Sequence, residues 1–414
     1  MGMIELFAKI QYNKPMEQYD LFSPQFKANP FPTYAQMRRE APVHGHVAPD
    51  GRIIWYITRY EDVAAVLKDP RFIKTPPHSQ RSDPGSHRAI NENMLFADPP
   101  DHTRLRALVN QAFTPRRVEA LAPRIQTITD ELLDTAVLQP EIDLIADLGL
   151  PLPVQVICEL LGIPRRDREQ VSDWSQAIIS PGSRGLNYSA RKRKVRQFVA
   201  YLRDIFADRQ AKPQDDLTTA LVQAEEAGDR LTESELSSMV ALLLVTGHET
   251  TVNLIGNGAL ALLQHPDQLA LLRADPSLWD SAIEELLRYD GPVETSTSRW
   301  AGEDIAFKGH LLRKGDLVRV VLASANRDTA VFTNPDQLDI TRPDNKHLAF
   351  GLGIHYCLGA PLARLEGKIA LGTLFTRFPH LHLARPAEQL TWHSGVLFRG
   401  LKQLPVCTNQ SDCL

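Results

Sequence analysis

From Thr232 to Gln264 the chain reads "TESELSSMVALLLVTGHETTVNLIGNGALALLQ", with no proline, and no other stretch restricts the fold as strongly. Thr232 followed by Glu235 makes a capping box, and Pro266 after His265 ends the pattern. A helix over this run is roughly 48 Å long at 1.5 Å per residue, a rod that must cross the whole molecule. Its centre, "LLLVTGHETT" (242–251), sets Gly247, Glu249, Thr250 and Thr251 into an otherwise apolar stretch. Burying a carboxylate costs several kcal/mol unless something compensates. Two readings follow from the residues. The hydroxyls can bond back to carbonyls one turn earlier while Glu249 finds a surface arginine. Alternatively the helix opens at Gly247 and presents a hydroxyl and an acid to a cavity. The pair His248-Glu249 does not make a zinc-protease site, because Val252 stands where the second histidine is required.

Helical periodicity dominates the remainder. "YEDVAAVLKD", "DHTRLRALVNQAF", "RVEALAPRIQTITDELLDTA", "VRQFVAYLRDIFADRQ" and "PSLWDSAIEELLRY" carry apolar residues at three- and four-residue spacing. Strand signals are few: "RIIWYIT" (52–58), "DLVRVVLAS" (316–324) and a hairpin over 304–315 marked by Gly309 and Gly315. The fold class is therefore mainly α with a small β region.

With 46 Lys+Arg against 50 Asp+Glu, the net charge of −4 gives no reason to expect nucleic acid. Cys158, Cys357, Cys407 and Cys413 form no CxxC pair, which points to a reducing cytoplasm. "MGMIELFAKI" has no basic lead and reads as neither signal peptide nor membrane span.

The decapeptide "FGLGIHYCLG" (350–359) sets Cys357 in bare backbone. A thiolate is stabilised by N–H groups and by a helix N-terminus. Cys357 precedes "LGAPLARLEGKIALGTLFTRF", a helical pattern whose early Pro361 is tolerated in the first turn. Gly351, Gly353 and Gly359 clear side chains from around the sulfur, which would let something broad and flat approach. A nucleophilic cysteine needs a base and an oxyanion site, and a core cysteine needs no glycines. "GLGIHY" fails the dinucleotide fingerprint, since Tyr356 holds the third glycine position. A thiolate axial ligand to a haem fits best.

"FGLGIHYCLGAPLAR" resembles the haem-binding signature of the cytochrome P450s at Phe350, Gly351, Gly353, His355, Cys357, Gly359, Ala363 and Arg364. The likeness runs from "NPFPTYAQMRREAPV" at residue 29 to the last few residues. It implies the cytochrome P450 fold, with a long central helix across the haem. It also implies an N-terminal segment (1–28), a single domain (29–406) with β-rich portions near 41–60, 302–324 and 385–406, and a tail (407–414). The implied cofactor is haem b (iron protoporphyrin IX), with Cys357 as metal ligand and Phe350 and Gly351 in the cofactor-binding loop. "HTRLR" resembles the family's His-x-x-x-Arg helix, giving His102 and Arg106. With Arg299 from "SRWA" and His355, these make four cations for two propionates.

"TGHETT" resembles the oxygen-activation motif and implies Glu249 as the acid and Thr250 as the alcohol that steer protons during O2 activation. Thr246 stands where the family usually has alanine or glycine. Its hydroxyl could tighten the pocket, bond a substrate or bond back along the helix. "IEELLR" resembles the Glu-x-x-Arg helix, so that Glu285 and Arg288, with Arg342 of "LDITRP", are expected to form a structural network.

The resemblance also implies substrate-lining segments at 73–97, 175–192, 242–250, 292–297 and 396–398. The contact residues so implied are Phe96, Leu243, Thr246, Val293, Thr295, Ser296, Leu397 and Phe398, with Ile178, Ile179 and Ser180 in the second segment. This mixture suits a lipophilic molecule with some oxygen functions. The implied activity is insertion of one oxygen atom from O2, by hydroxylation or epoxidation, in secondary metabolism. The resemblance uses up the chain, so electrons from NAD(P)H must arrive indirectly through a ferredoxin or flavodoxin with its reductase. Arg104, Arg116, Arg117, Lys346 and Arg364 are the basic patch expected to attract that carrier. A monomer without membrane anchor or nucleic acid is expected. The rivals are an H2O2-driven peroxygenase and a non-catalytic haem-binding protein, and neither has a use for Glu249 and Thr250.

Overall fold

The small β region gathers on Leu317–Val320, which pairs in parallel with Ile53–Ile57 and antiparallel with Arg299–Ala301. Val43–Val47 and Phe72–Ile73 complete a five-stranded sheet at its two edges. This computed structural model describes residues 19–48, 50–75, 92–179, 188–226 and 228–408. The 76–91 part of the loop expected over 73–97, Ser180, and the tail beyond residue 408 lie outside those residues. Packing divides the chain into two units. One comprises Met1–Gln80, Gly256–Cys357 and Leu381–Val406; the other comprises Arg81–Ile255, Leu358–His380 and Cys407–Leu414.

In the first unit the sheet packs on the helix Tyr60–Lys68, whose Val63, Val66 and Leu67 share one core with Trp55, Ile57, Val318 and Val320. That spacing is the apolar stripe of an amphipathic helix. The expected hairpin forms between Ile305–Phe307 and His310–Leu312. Its turn residues, Lys308 (φ 48°) and Gly309 (φ 83°), take the two positive φ values that a tight hairpin requires. The strand expected over 316–324 ends at Val320, and Leu322–Ala325 form a short helix instead. All four of its side chains are buried, and Arg38 Nη1 donates to both the carbonyl and the hydroxyl of Ser324. Burial on every side here overrides the β-branched pattern upstream.

The second unit is helical. The capping box forms as expected: Thr232 N–H donates to Glu235 Oε2 at 2.8 Å, and Glu235 N–H to Thr232 Oγ1 at 3.3 Å. The pattern expected to run unbroken over "RVEALAPRIQTITDELLDTA" is two helices, Pro115–Glu119 and Ala122–Ala136, because Pro123 begins a new first turn. Ala122–Ala136 docks on Ala360–Arg377, where Gln126 Nε2 donates to Thr373 Oγ1 at 3.0 Å. The central helix, Glu233–Gln264, is long and apolar enough to cross a membrane, but 72% of its apolar window is buried within the protein. It is a core helix.

Cys158 and Cys357 are outside any disulfide, whereas Cys407 is disulfide-bonded, which departs from a chain of uniformly reduced cysteines. Burial pushes the Cys158 thiol up to about 11, so it is an inert core residue.

Candidate active site

Cys357 closes a turn in the first unit. Its N–H donates to the Phe350 carbonyl at 3.0 Å, and the Gly351 and Tyr356 amides donate to Leu348 and Gly353 carbonyls at 2.8 and 3.0 Å. Gly351 has φ 71°, and a Cβ built there meets nothing nearer than the His355 carbonyl at 4.0 Å. The backbone conformation demands glycine while the space beside it stays open. Gly353 has a different reason. It combines φ 76° with a Cβ position only 2.9 Å from the Leu67 carbonyl of the helix Tyr60–Lys68. Packing on that helix therefore accounts for Gly353, in place of the approach of a flat ligand. The Cys357 side chain is half-buried, and the helix Ala360–Arg377 starts just downstream.

The loop is anchored to a saturated ion network. Glu285 and Arg288 are 0% and 1% exposed and bond through both carboxylate oxygens, at 2.7 and 2.8 Å. Glu285 also accepts from Arg342 Nε, the Asp339 amide and Asn345 Nδ2. Arg288 Nη1 donates to the Asn326 carbonyl at 2.9 Å, and the Asn326 side chain accepts the Leu348 amide at 2.7 Å. One asparagine thus links the network to the first residues of the cysteine loop. The structural role expected for Glu285, Arg288 and Arg342 follows directly from these bonds.

Arg299 is buried on the strand Arg299–Ala301 and donates to the Phe72 carbonyl at 3.3 Å. His355 is half-buried at the end of the single turn Gly353–His355. In the second unit, His102 and Arg106 lie four positions apart on the helix Asp101–Ala112, which puts them on one face. Burial pushes the His102 imidazole down, and the positive charge of Arg106 pushes it further. A carboxylate brought beside it would raise the value again. Arg104 is bound by Asp229 at 3.1 Å and by Glu235, so it adds little to the basic patch expected of it.

The middle of the central helix is closed. Thr246 Oγ1 donates to the Leu242 carbonyl at 2.7 Å, Thr250 Oγ1 to Thr246 at 2.9 Å and Thr251 Oγ1 to Gly247 at 3.3 Å. The alternative that opened the helix at Gly247 does not hold. A Cβ at Gly247 would press to 3.3 Å on Ile157 Cδ1, so the glycine admits a neighbouring helix. Of the three uses considered for Thr246, the structure shows the bond back along the helix. Glu249 is half-buried, and buried His248 donates from Nδ1 to the Leu244 carbonyl at 2.7 Å, its basicity lowered by burial.

Five of the expected substrate residues come together in the first unit. Val293 bridges Phe398, Thr295 Oγ1 donates to the Val396 carbonyl at 2.9 Å, and the amide between them, on Glu294, donates to Leu397 at 2.9 Å. Ser296 continues this segment, its amide on the Val320 carbonyl at 2.9 Å. In the second unit Phe96 is exposed, Leu243 buried and Thr246 half-buried. Sequence reasoning missed Glu294 itself, a buried carboxylate standing between two residues assigned to a pocket. The legible signal was an acid in "PVETS" between apolar and hydroxyl neighbours.

The donor set suits a haem. A single thiolate holds iron when a macrocycle supplies the in-plane ligands. In the first unit the open face of Gly351 and the donors Arg299 and His355 suit a flat group bearing carboxylates; in the second, His102 and Arg106 present two further donors of that kind on one helix face.

A profile of the family described as Cytochrome P450 matches residues 272–403. Cytochrome P450 107B1 of Saccharopolyspora erythraea is 48% identical over 383 residues, covering 90% of this chain and 93% of that protein. Vitamin D(3) 25-hydroxylase of Pseudonocardia autotrophica is 46% identical over 396 residues, covering 94% and 96%. Among solved structures, the bacillaene polyketide synthase cytochrome P450 PksS of Bacillus subtilis aligns with a TM-score of 0.89 and 43% identity, over 95% of this chain and all of that one. The chain belongs to the cytochrome P450 family. It is a haem-thiolate monooxygenase, related to hydroxylases of bacterial secondary metabolism.

Proposed function

We propose that the chain inserts one oxygen atom from O2 into a bulky, lipophilic molecule, by hydroxylation or epoxidation, at a haem b held through Cys357 within the domain 29–406. The observation that carries this reading is Cys357, not in a disulfide, on a turn closed by its own amide directly before a helix. Bound haem supplies the redox chemistry of oxygen activation, tuned by a thiolate ligand. Phe350 and Gly351 form the loop wall against it, while Arg299, His355, Arg106 and His102 hold its carboxylates. Thr250 Oγ1 is assigned to holding the transferred proton, and the Glu249 carboxyl to resupplying it. To act so, Thr250 exchanges its bond to the Thr246 carbonyl for one into the pocket, a rotation of a single side chain.

The assigned substrate contacts are Val293, Thr295, Ser296, Leu397, Phe398, Phe96, Leu243 and Thr246, a mixture of apolar and hydroxyl surfaces. Two similar proteins bear names that mention vitamin D(3) and a polyketide synthase, which favours bulky carbon skeletons. Electrons reach the site from NAD(P)H through a separate ferredoxin or flavodoxin and reductase, and the protein works as a cytoplasmic monomer.

The test is reconstitution with haem, a surrogate ferredoxin and its reductase under isotopically labelled O2, against sterol, polyketide and fatty-acid libraries. One labelled oxygen per product, dependent on reductase, is expected. Label-free product formed from H2O2 without reductase would indicate the peroxygenase. A ferrous carbonyl spectrum of the histidine-ligated kind would overturn the ligand assignment.

A further inference from the structure

Lys27, Tyr34 and Glu294 meet in the interior of the first unit, where they are 3%, 2% and 1% exposed. Lys27 Nζ donates to Glu294 Oε2 at 2.7 Å, and the Tyr34 hydroxyl donates to the other carboxylate oxygen. Burial, and after it the proximity of this carboxylate, raise the Tyr34 hydroxyl well above its ordinary value, which keeps it a donor. A second tie lies beside the first. Arg399 Nη1 donates to the Lys27 carbonyl at 2.6 Å, and Arg399 Nε to Asp290 Oδ1 at 2.5 Å.

Both ties act on one antiparallel pair. The Arg399 amide donates to the Pro292 carbonyl at 3.0 Å, and the Glu294 amide to Leu397 at 2.9 Å. The pairing is a single antiparallel bridge, Val293 with Phe398, flanked by bends at 292, 294, 295, 396 and 397, so what fixes Glu294 also fixes its chain neighbours Val293 and Thr295, the latter bonded to the Val396 carbonyl. A buried ion pair contributes little net stability, since desolvation offsets attraction, but it does fix geometry.

We propose that Glu294, clamped by Lys27 and Tyr34, is a positioning residue that sets the depth of the Val293–Thr295 and Leu397–Phe398 segments and so the size selectivity of the substrate pocket. This rests on the reading that those segments line the pocket. The clamp acts from behind the wall and touches no substrate. The segment around Lys27 and Tyr34 thereby becomes a determinant of selectivity although it contributes no lining residue.

The haem-loaded full chain and its E294Q, K27M and Y34F variants are titrated with imidazole and with 4-phenylimidazole, two iron-binding azoles that differ in bulk. Imidazole affinity and the ferrous carbonyl spectrum are expected to stay at wild-type values. The affinity for 4-phenylimidazole is expected to change by about tenfold in E294Q and K27M, and by about threefold in Y34F. Equal changes for both azoles would mean general loosening and overturn the proposal, as would no change for either. Y34F removes one hydroxyl and carries the same test if the charge variants fail to accumulate. A wild-type protein that binds neither azole overturns the haem reading, a failure visible before any variant is compared.

Discussion

The cysteine loop and the middle of the central helix both carry polar side chains in apolar surroundings, and they satisfy them in opposite ways. Beneath the loop the bonds are long-range: Glu285 accepts from Arg288, Arg342, Asn345 and the Asp339 amide, and Arg288 reaches carbonyls at Asn326, Pro335 and Gln337. In the helix the bonds are local. Thr246, Thr250, Thr251 and His248 each use a carbonyl one turn back. A saturated long-range network fixes backbone and has no bond to spare for a ligand. A hydroxyl bonded to its own helix gives up little when it rotates to another partner. The first pattern is scaffolding, and the second leaves its hydroxyls able to change partner.

Substitutions can break that contrast. The largest effect is expected in the network, from Arg288→Ala. It leaves the Glu285 carboxylate buried without its principal partner, a loss of about 3–5 kcal/mol. Against a total stability of about 5–15 kcal/mol, that is a third or more of the whole for all but the most stable chains, and it lowers the denaturation midpoint accordingly. Denaturant titration and the yield of coloured protein measure it. A variant with near wild-type stability would show that the network is not scaffolding.

Next is Cys357→Ser. Its side chain is half-buried, its amide closes the turn whatever the side chain, and serine is close to isosteric with cysteine, so the fold is expected to survive within about 1 kcal/mol. The thiolate signature of the ferrous carbonyl spectrum and all monooxygenation should vanish. Retention of that signature would move the ligand elsewhere. Thr250→Ala is smaller again. Alanine suits a helix better than threonine, so stability should shift by about 0.5 kcal/mol or less while product per O2 consumed falls several-fold. Unchanged coupling in this variant would reduce Thr250 to a helix residue bonding backwards.

The sequence made the scaffolding visible because its parts sit in short motifs. "IEELLR", "LDITRP" and "FGLGIHYC" each lie within a few residues, so they could be matched to the family's motifs, and that resemblance disclosed Glu285, Arg288 and Arg342, while the bare backbone around Cys357 was legible by itself. What stayed hidden depended on distant partners. Gly247 looked like an opening in the helix until Ile157 was seen against it, and Gly353 looked like ligand clearance until the Leu67 carbonyl was. Lys27 and Glu294 are 267 positions apart, a distance over which no periodicity operates. Likewise the helix Leu322–Ala325 arises from burial on all sides, which a local β-branched pattern does not encode.

The sharpest version of the contrast is a second buried carboxylate. Glu366, in the helix Ala360–Arg377, is 1% exposed, and its Oε2 has no hydrogen-bond partner among the described residues. Glu285 is surrounded by donors. Burial alone pushes the Glu366 carboxyl well above its ordinary 4.5, so the folded chain holds a proton that the unfolded chain releases. The contribution is fully present below the unfolded value and is lost as pH rises through the folded one. Across that window each pH unit costs about 1.4 kcal/mol. Glu366→Gln keeps the shape and removes the titration. Its unfolding midpoint should match wild type near pH 4 and exceed it increasingly toward pH 8. Parallel pH profiles for the two proteins would mean that Glu366 is ionised and has a partner after all. The two carboxylates then respond oppositely to the loss of a charge: removing the cationic partner of Glu285 weakens the fold, while removing the titration of Glu366 strengthens it at neutral pH.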